Sequence, residues 1–256
     1  MTHAGIPDSD FTFDPASKGH LVSQCGAVRL DPGGAGVAVF HPPTLGDTNF
    51  RPLDAPRKGF TLVFPLRAAP DAPGRFQVLL GEKKRGLGQG LINGFGGKIE
   101  PGETSEECAI RELAEEAHLH ATSISFVGRL NFNLPSADPN RLLDVHVFVA
   151  WQFTGSPVET PEMRPFWVDA DQVPFSAMWP DDTIWLPYLL SYLAGVYSSD
   201  QAPGTTPQAL AADGPHLLLL AHFDMPDQAT VAAYRLHLAF GGGAARGDTL
   251  WAALSQ

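Results

Sequence analysis

Cysteine is scarce in this chain of 256 residues: only Cys25 and Cys108 are present, too few for a disulfide framework. That points to a reducing compartment. Positive charge is also in deficit, with 17 Lys and Arg against 28 Asp and Glu and a formal net charge of −11. Such a balance argues against a nucleic-acid partner held through its phosphate backbone. No apolar run approaches the roughly 20 residues that span a bilayer, so no membrane partner is expected. The opening MTHAGIPDSD has neither the basic segment nor the apolar core of a signal peptide. No internal repeat is seen. The expectation is a soluble, intracellular monomer, cytoplasmic first, with a nuclear or mitochondrial share left open.

What is present is enough for a sizeable core: 44% of the residues are hydrophobic. Residues 1–58 are rich in Gly and Pro and read as a partly flexible N-terminal extension. Residues 21–30 and 35–40, around Pro32-Gly33-Gly34, are readable either as short strands or as a loose arm. From Gly59 the patterning sharpens. GFTLVFPL and RFQVLLGE are strand-like and are separated by a turn-rich APDAPG; SISFVGRLNFNL, LLDVHVFVAWQF and RPFWV add three more strands. TIWLPYLLSYLAGV predicts an apolar helix, and HLLLLAHF with ATVAAYRLHLAF a final hairpin. The expected domain is 59–240, interrupted by a flexible insertion at about 198–215 and followed by a tail, 241–256. Its class is α+β, a mixed β-sheet sandwiched between α-helices.

The densest signal begins at Gly97, in GKIEPGETSEECAIRELAEEAHL. Pro101-Gly102 breaks what precedes, and Thr104 with Glu107 three positions later forms a capping box. The residues that follow are good helix formers. At about 100° per residue, Glu112, Glu115 and Glu116 fall within one arc with Arg111 at its edge, while Ala109, Ile110, Leu113 and Ala117 turn to the core. Like charges at Glu112 and Glu116 disfavour a bare helix. Hard oxygens on one rigid face are what Mg²⁺ takes, Mn²⁺ serving as an alternative, with water and substrate phosphate completing the shell. An ordinary solvated helix face is the competing reading for the three glutamates alone. Gly97, Glu103 and Arg111 at fixed spacing change the balance, since six such positions should coincide in roughly one chain of this length in 10⁵. Lys83-Lys84-Arg85 and Lys98 supply a local basic patch for an anionic, small-molecule nucleotide substrate.

The pattern G-x5-E-x7-R-E-(apolar)-x-E-E resembles the signature of the Nudix hydrolases, which cleave a nucleoside diphosphate linked to another group. His118 stands where that family usually has Gly, at the helix end. The flanks GEKKRGLGQGLINGFGGK, LLDVHVF, GSPVETPEMRPFWV and MWPDDTIWLP further resemble the oxidised-purine nucleoside triphosphatases within that family, over roughly Gly59 to Ala239. The resemblance implies the Nudix fold and hydrolysis of 8-oxo-dGTP and 2-hydroxy-dATP to the monophosphate and pyrophosphate, sanitising the nucleotide pool. It implies metal ligands at Glu112, Glu115, Glu116 and Glu162, with a main-chain carbonyl at Gly96 or Gly97. Glu116 is the first choice for general base and Glu112 the second. Arg111 would orient Glu103 and the helix carboxylates by ion pairing.

Base recognition would fall to Asn93, Asp181 and Asp182, with Trp179 as stacking surface and Thr61, Lys83 and Phe132 at other pocket positions. Two neighbouring aspartates repel, so one could stay protonated and donate a hydrogen bond. The plainer role for either is capping a helix that begins at Thr183, as Glu162 could be a plain loop residue and Phe132 plain core. Leu87, Ile92 and Leu143 replace the Phe, Trp and Met usual in these enzymes, which implies altered preference or weaker affinity. Two alternatives stay open: a Nudix enzyme acting on a dinucleotide, nucleotide sugar or RNA cap, and a non-catalytic nucleotide-binding module.

Overall fold

In the computed structural model, residues 55–198 and 217–240 are described, together with three short strands before them: β1 (His20–Leu21), β2 (Val28–Arg29) and β3 (Val37–Phe40). The expected insertion and tail fall outside the described residues, apart from the end of one helix. The main elements follow the expected order: β4 (Arg57–Ala68), β5 (Phe76–Lys83), β6 (Ile92–Asn93), α1 (Ser105–Ala117), β7 (His120–Asn133), β8 (Leu142–Thr154), β9 (Met163–Asp169), α2 (Asp182–Ser198), β10 (Leu217–Asp224) and β11 (Ala233–Phe240). They build a mixed nine-stranded sheet in the order β3-β11-β10-β7-β8-β4-β5-β6, with β9 added to β5. β4 runs parallel to β8 and β10 parallel to β7; the other pairings are antiparallel. Within the expected N-terminal extension, Val37–Phe40 is a strand of this sheet, paired with β11.

Helices cover both faces, and β4 shows why. A strand buried on both sides reads as a continuous apolar run rather than an alternating one. Leu62, Phe64 and Leu66 point into one core with Trp185, Leu186 and Leu189 of α2, whereas Val63 points into the other with Ala109, Leu113 and Ala117 of α1. Leu113 is fully buried there, and sequestering such a side chain is worth about 1.5–3 kcal/mol. On the α1 side of the sheet, beyond the helix, buried Asp144 of β8 binds Arg129 of β7 through both carboxylate oxygens, with Arg57 and His146 close by. Burial works to raise its pKa, but hydrogen bonds from Arg129 and His146 outweigh it and hold the carboxyl at about 2.

Helix α1 starts as its capping box dictates: Thr104 Oγ1 accepts from Glu107 N at 3.2 Å, and the Glu107 carboxylate accepts from Thr104 N at 2.7 Å. It ends at His118, which adopts the left-handed conformation at φ 57° and ψ 30° and donates its N–H to the Ala114 carbonyl. A side chain in that region costs about 1–2 kcal/mol, against about 0.5–1 kcal/mol of extra chain entropy for glycine. His118→Gly is therefore expected to raise the unfolding midpoint by about 1–3 °C, measured by calorimetry; an unchanged or lower midpoint would contradict this account of the cap.

Candidate active site

Three segments meet along the first half of β4. Residues 95–99 pair antiparallel with its free edge: Thr61 N donates to Gly97 O at 2.8 Å, and Val63 N to Phe95 O at 2.6 Å. In such a ladder the intervening residue turns both its N–H and its C=O away from the partner strand. That residue is Gly96, whose N–H donates to Glu116 Oε2 of α1 at 2.9 Å. Its carbonyl is therefore better placed than that of Gly97 to serve as a ligand. Gly96 has φ 153°, and a Cβ there would sit 2.1 Å from the Thr61 carbonyl oxygen. At Gly97 a Cβ would come within 2.3 Å of Glu112 Oε1. Both glycines let the loop lie directly on the carboxylate face of the helix.

The four box carboxylates separate into distinct environments. Glu116 is 2% exposed, with Lys83 Nζ at 3.1 Å from Oε1 and Gly96 N–H on Oε2. Glu112 is mostly buried and accepts from Arg111 at 2.8 Å. Burial raises the pKa of Glu112 in spite of that hydrogen bond. Glu103 takes two hydrogen bonds from Arg111, at 3.1 and 2.7 Å, and one from Glu100 N at 2.6 Å. The Arg111 contact and then the Glu100 N–H hold its pKa at about 2. Arg111 and Glu103 thus brace the helix against the Lys98 carbonyl and do not line the cavity described below. The arc that contains all three helix glutamates is divided by its neighbours: Glu115 is 61% exposed and lies 3.5 Å from Arg111.

Beside Gly96 and Gly97 opens a cavity of about 430 Å³. Its mouth carries Lys83, Arg85 and Glu162, the last two ion-paired with each other. Its floor is the sheet: Thr61 of β4, Phe132 of β7 and Leu143 of β8 reach it as expected. Phe132 also stacks on Phe223, with ring centroids 5.2 Å apart. Leu130 and Val145, two residues away on the same faces, line it too and were within reach of a period-two argument. Met225, from the β10–β11 hairpin, had no signal in the sequence; it reaches the cavity because its N–H bonds Asn133 O at 2.9 Å. Leu87 stands at the rim, 42% exposed. Ile92 does not line the cavity but packs against the α2-side core. Of the two aromatic-to-aliphatic departures, only Leu87 therefore removes ring surface from the pocket.

The far wall holds Asn93, Trp179, Asp181 and Asp182. Asn93 Oδ1 accepts from Gly94 N at 2.8 Å, which leaves the side-chain nitrogen to serve a ligand as donor. Helix α2 starts at Asp182, one residue before the expected Thr183, and neither aspartate side chain caps its first turn. Asp181 Oδ2 accepts from the Trp185 indole at 3.1 Å, and Asp182 Oδ2 accepts backward from Trp179 N at 3.2 Å. Both are buried. Burial raises Asp181 to about 7, and burial together with the Asp181 charge raises Asp182 well above the usual carboxylate range. A carboxyl raised in this way donates while protonated and accepts once ionised, so the wall can offer both.

Hard oxygens from Glu112 and Glu116, an outward Gly96 carbonyl, and Glu162 across the mouth suit a divalent cation. Among the described residues, no three acidic, histidine or cysteine groups converge as a ready-made metal cluster. Each of these carboxylates instead lies on a basic side chain or a backbone N–H.

The aspartate pair makes stability depend on pH. A carboxyl whose folded pKa is raised favours the fold while protonated, and that contribution is lost as pH rises from about 4 to about 7. His222, which burial lowers to about 4, titrates in the opposite sense over part of this window, so the difference between variant and wild type is the informative quantity. Asp181→Asn is expected to gain on the order of 1–3 kcal/mol relative to wild type between pH 5 and pH 8, read by urea denaturation. A difference independent of pH would mean that the pair is ionised throughout.

Comparison with known proteins agrees with this geometry. The family model described as NUDIX domain matches residues 66–189. The chain is 49% identical over 118 residues to "Oxidized purine nucleoside triphosphate hydrolase" of Danio rerio, covering 46% of this chain and 73% of the relative. It is 49% identical over 114 residues to the protein of the same name from Mus musculus, covering 44% and 72%. A solved MutT protein from Bacillus halodurans aligns over 70% of this chain and 97% of its own, at 22% identity and a TM-score of 0.49. Enzymes with this domain generally use a divalent metal. The glycine turn and the braced carboxylate helix lie within the matched residues, and the chain belongs to the Nudix family.

Proposed function

We propose that this protein hydrolyses oxidised purine nucleoside triphosphates, 8-oxo-dGTP and 2-hydroxy-dATP, to the monophosphate and pyrophosphate, acting as a cytoplasmic monomer on the free nucleotide. The observation that carries the proposal is the buried Asp181–Asp182 pair, which faces one cavity together with Asn93 and Trp179. A neutral carboxyl donates where an ionised one only accepts. Moving one proton between the two aspartates therefore lets a single wall match either oxidised base. The Asn93 amide supplies a fixed donor, and Trp179 and Phe132 supply ring surface. The names of the two vertebrate relatives support the same substrate class.

The phosphates would then lie at the mouth, near Lys83 and Arg85. Glu112, Glu116, Glu162 and the Gly96 carbonyl would hold Mg²⁺, or Mn²⁺ in its place. The bound cation would supply Lewis-acid polarisation of a phosphoryl oxygen and a more acidic water. Glu116, oriented by Gly96 N–H, would take a proton from the attacking water. Glu112 would share the cation, its orientation set by Arg111 and Gly97. Glu115 would act through solvent-side contacts of the cation shell. In-line displacement depends on such positioning and charge neutralisation rather than on covalent chemistry by the protein.

Leu87 at the rim gives up ring surface, worth about 1–3 kcal/mol per stacked base, whereas Leu143 in place of Met costs none. A panel of 8-oxo-dGTP, 2-hydroxy-dATP, dGTP and dATP with Mg²⁺, with products resolved, is expected to show preference for the oxidised pair and release of pyrophosphate. Equal turnover of all four would sink the assignment to oxidised bases while leaving the hydrolase. Glu116→Gln is expected to lower kcat by about 10²–10⁴ with the fold intact by circular dichroism. Retention of full turnover would remove Glu116 from the chemistry.

A further inference from the structure

The basic run Lys83-Lys84-Arg85, expected to meet phosphate, is engaged elsewhere. Lys83 Nζ lies 3.1 Å from Glu116, Lys84 Nζ 2.7 Å from Glu159, and Arg85 pairs with Glu162. Two of these three carboxylates, Glu116 and Glu162, are the ones assigned above to the divalent cation. Lys83 lines the cavity whereas Glu116, 2% exposed, does not. An ammonium group on Glu116 Oε1 and a divalent cation on the same oxygen would repel at contact distance, so the two cannot share it. Lys84, by contrast, is held by Glu159 and by the Thr160 carbonyl at 2.9 Å, neither of which is assigned to the cation.

We propose that Lys83 and Arg85 are place-holders for the divalent cation. They neutralise Glu116 and Glu162 before it binds, then give up those oxygens and turn their charge to the nucleotide's phosphates. This rests on the reading of Glu116 and Glu162 as metal donors. The place-holding has a structural reason. A buried carboxylate left without a partner is strongly destabilising, so the fold needs a cation on Glu116 at every stage. Two consequences follow from the exchange. Metal affinity is lowered by competition with the protein's own cations. Metal and triphosphate binding become positively coupled, because each frees the partner that the other requires.

The test is a titration of nucleotide-free protein with Mn²⁺, free and bound ion being distinguished by electron paramagnetic resonance. Lys83→Met is expected to bind Mn²⁺ about tenfold more tightly, or about 1.4 kcal/mol. Its unfolding midpoint should also rise more with added Mn²⁺ than that of wild type. Lys83→Arg should keep wild-type affinity, and Lys84→Met should match wild type, because its partner is no metal donor. Equal or weaker Mn²⁺ binding by folded Lys83→Met would overturn the proposal. So would an equal gain in Lys84→Met, which would reduce the effect to bulk charge. Should Lys83→Met fail to fold even with Mn²⁺, Arg85→Met decides in the same sense, since the Arg85 side chain is 63% exposed and dispensable for packing. No nucleotide is used, so the result is read separately from the substrate panel.

Discussion

A buried, charged carboxylate is hard to keep in a protein, and the site is organised around keeping one. Glu116 sits beneath the sheet surface with one oxygen on Gly96 N–H and the other on Lys83. Satisfying it requires a strand edge turned inward at one residue, a glycine where no Cβ fits, and a lysine from a neighbouring strand. Each requirement fixes another part of the molecule. The inward turn follows from antiparallel pairing of 95–99 with β4, which in turn holds the wall residue Asn93 beside the cavity. The helix that carries Glu116 is clamped by the Arg111–Glu103 pair and by apolar contacts of Ala109, Leu113 and Ala117.

The two halves of the site differ in how they are built. Most of the phosphate end comes from one stretch of about twenty residues, where helix periodicity sets Glu112, Glu115 and Glu116. The base end is assembled from β4, β7, β8, the start of α2 and the β10–β11 hairpin. Its chemistry depends on burial rather than on spacing. Asp181 and Asp182 would be ordinary solvated acids on a surface loop. Between Trp179 and Trp185, shielded from water, both are raised above the usual carboxylate range.

That difference explains what could be read in the chain beforehand. Strands with a continuous apolar run such as FTLVFPL, and a helix announced by Thr104 and Glu107, are local properties and stand as expected. The membership of Asn93, Lys83, Phe132, Trp179 and the aspartates in one cavity came through resemblance, since nothing in their spacing places them together. Met225 escaped because the parallel register of β10 on β7 is a long-range choice. Glu115 shares an arc with Glu112 and Glu116 but not their surroundings, because angular position says nothing of where the sheet ends and solvent begins. Ile92 looked like a pocket residue but packs, partly buried, against the α2-side core. The capping role for Asp181 or Asp182 failed because both side chains find indole or backward amide partners instead.

The position of β10 and β11 in the sheet bears on how the protein is made. Met225 and Phe223 sit under the cavity, yet they follow the box helix by more than a hundred residues of chain. A ribosome adding roughly 5–20 residues each second would expose the finished phosphate-handling helix seconds before the floor of the base pocket exists. During that interval the β7 edge, with buried Asn131 and half-buried Asn133, awaits its parallel neighbour. An unpaired strand edge of this kind is a template for pairing with other chains. Synthesis of β10 and β11 thus closes this edge and completes the floor of the base pocket together.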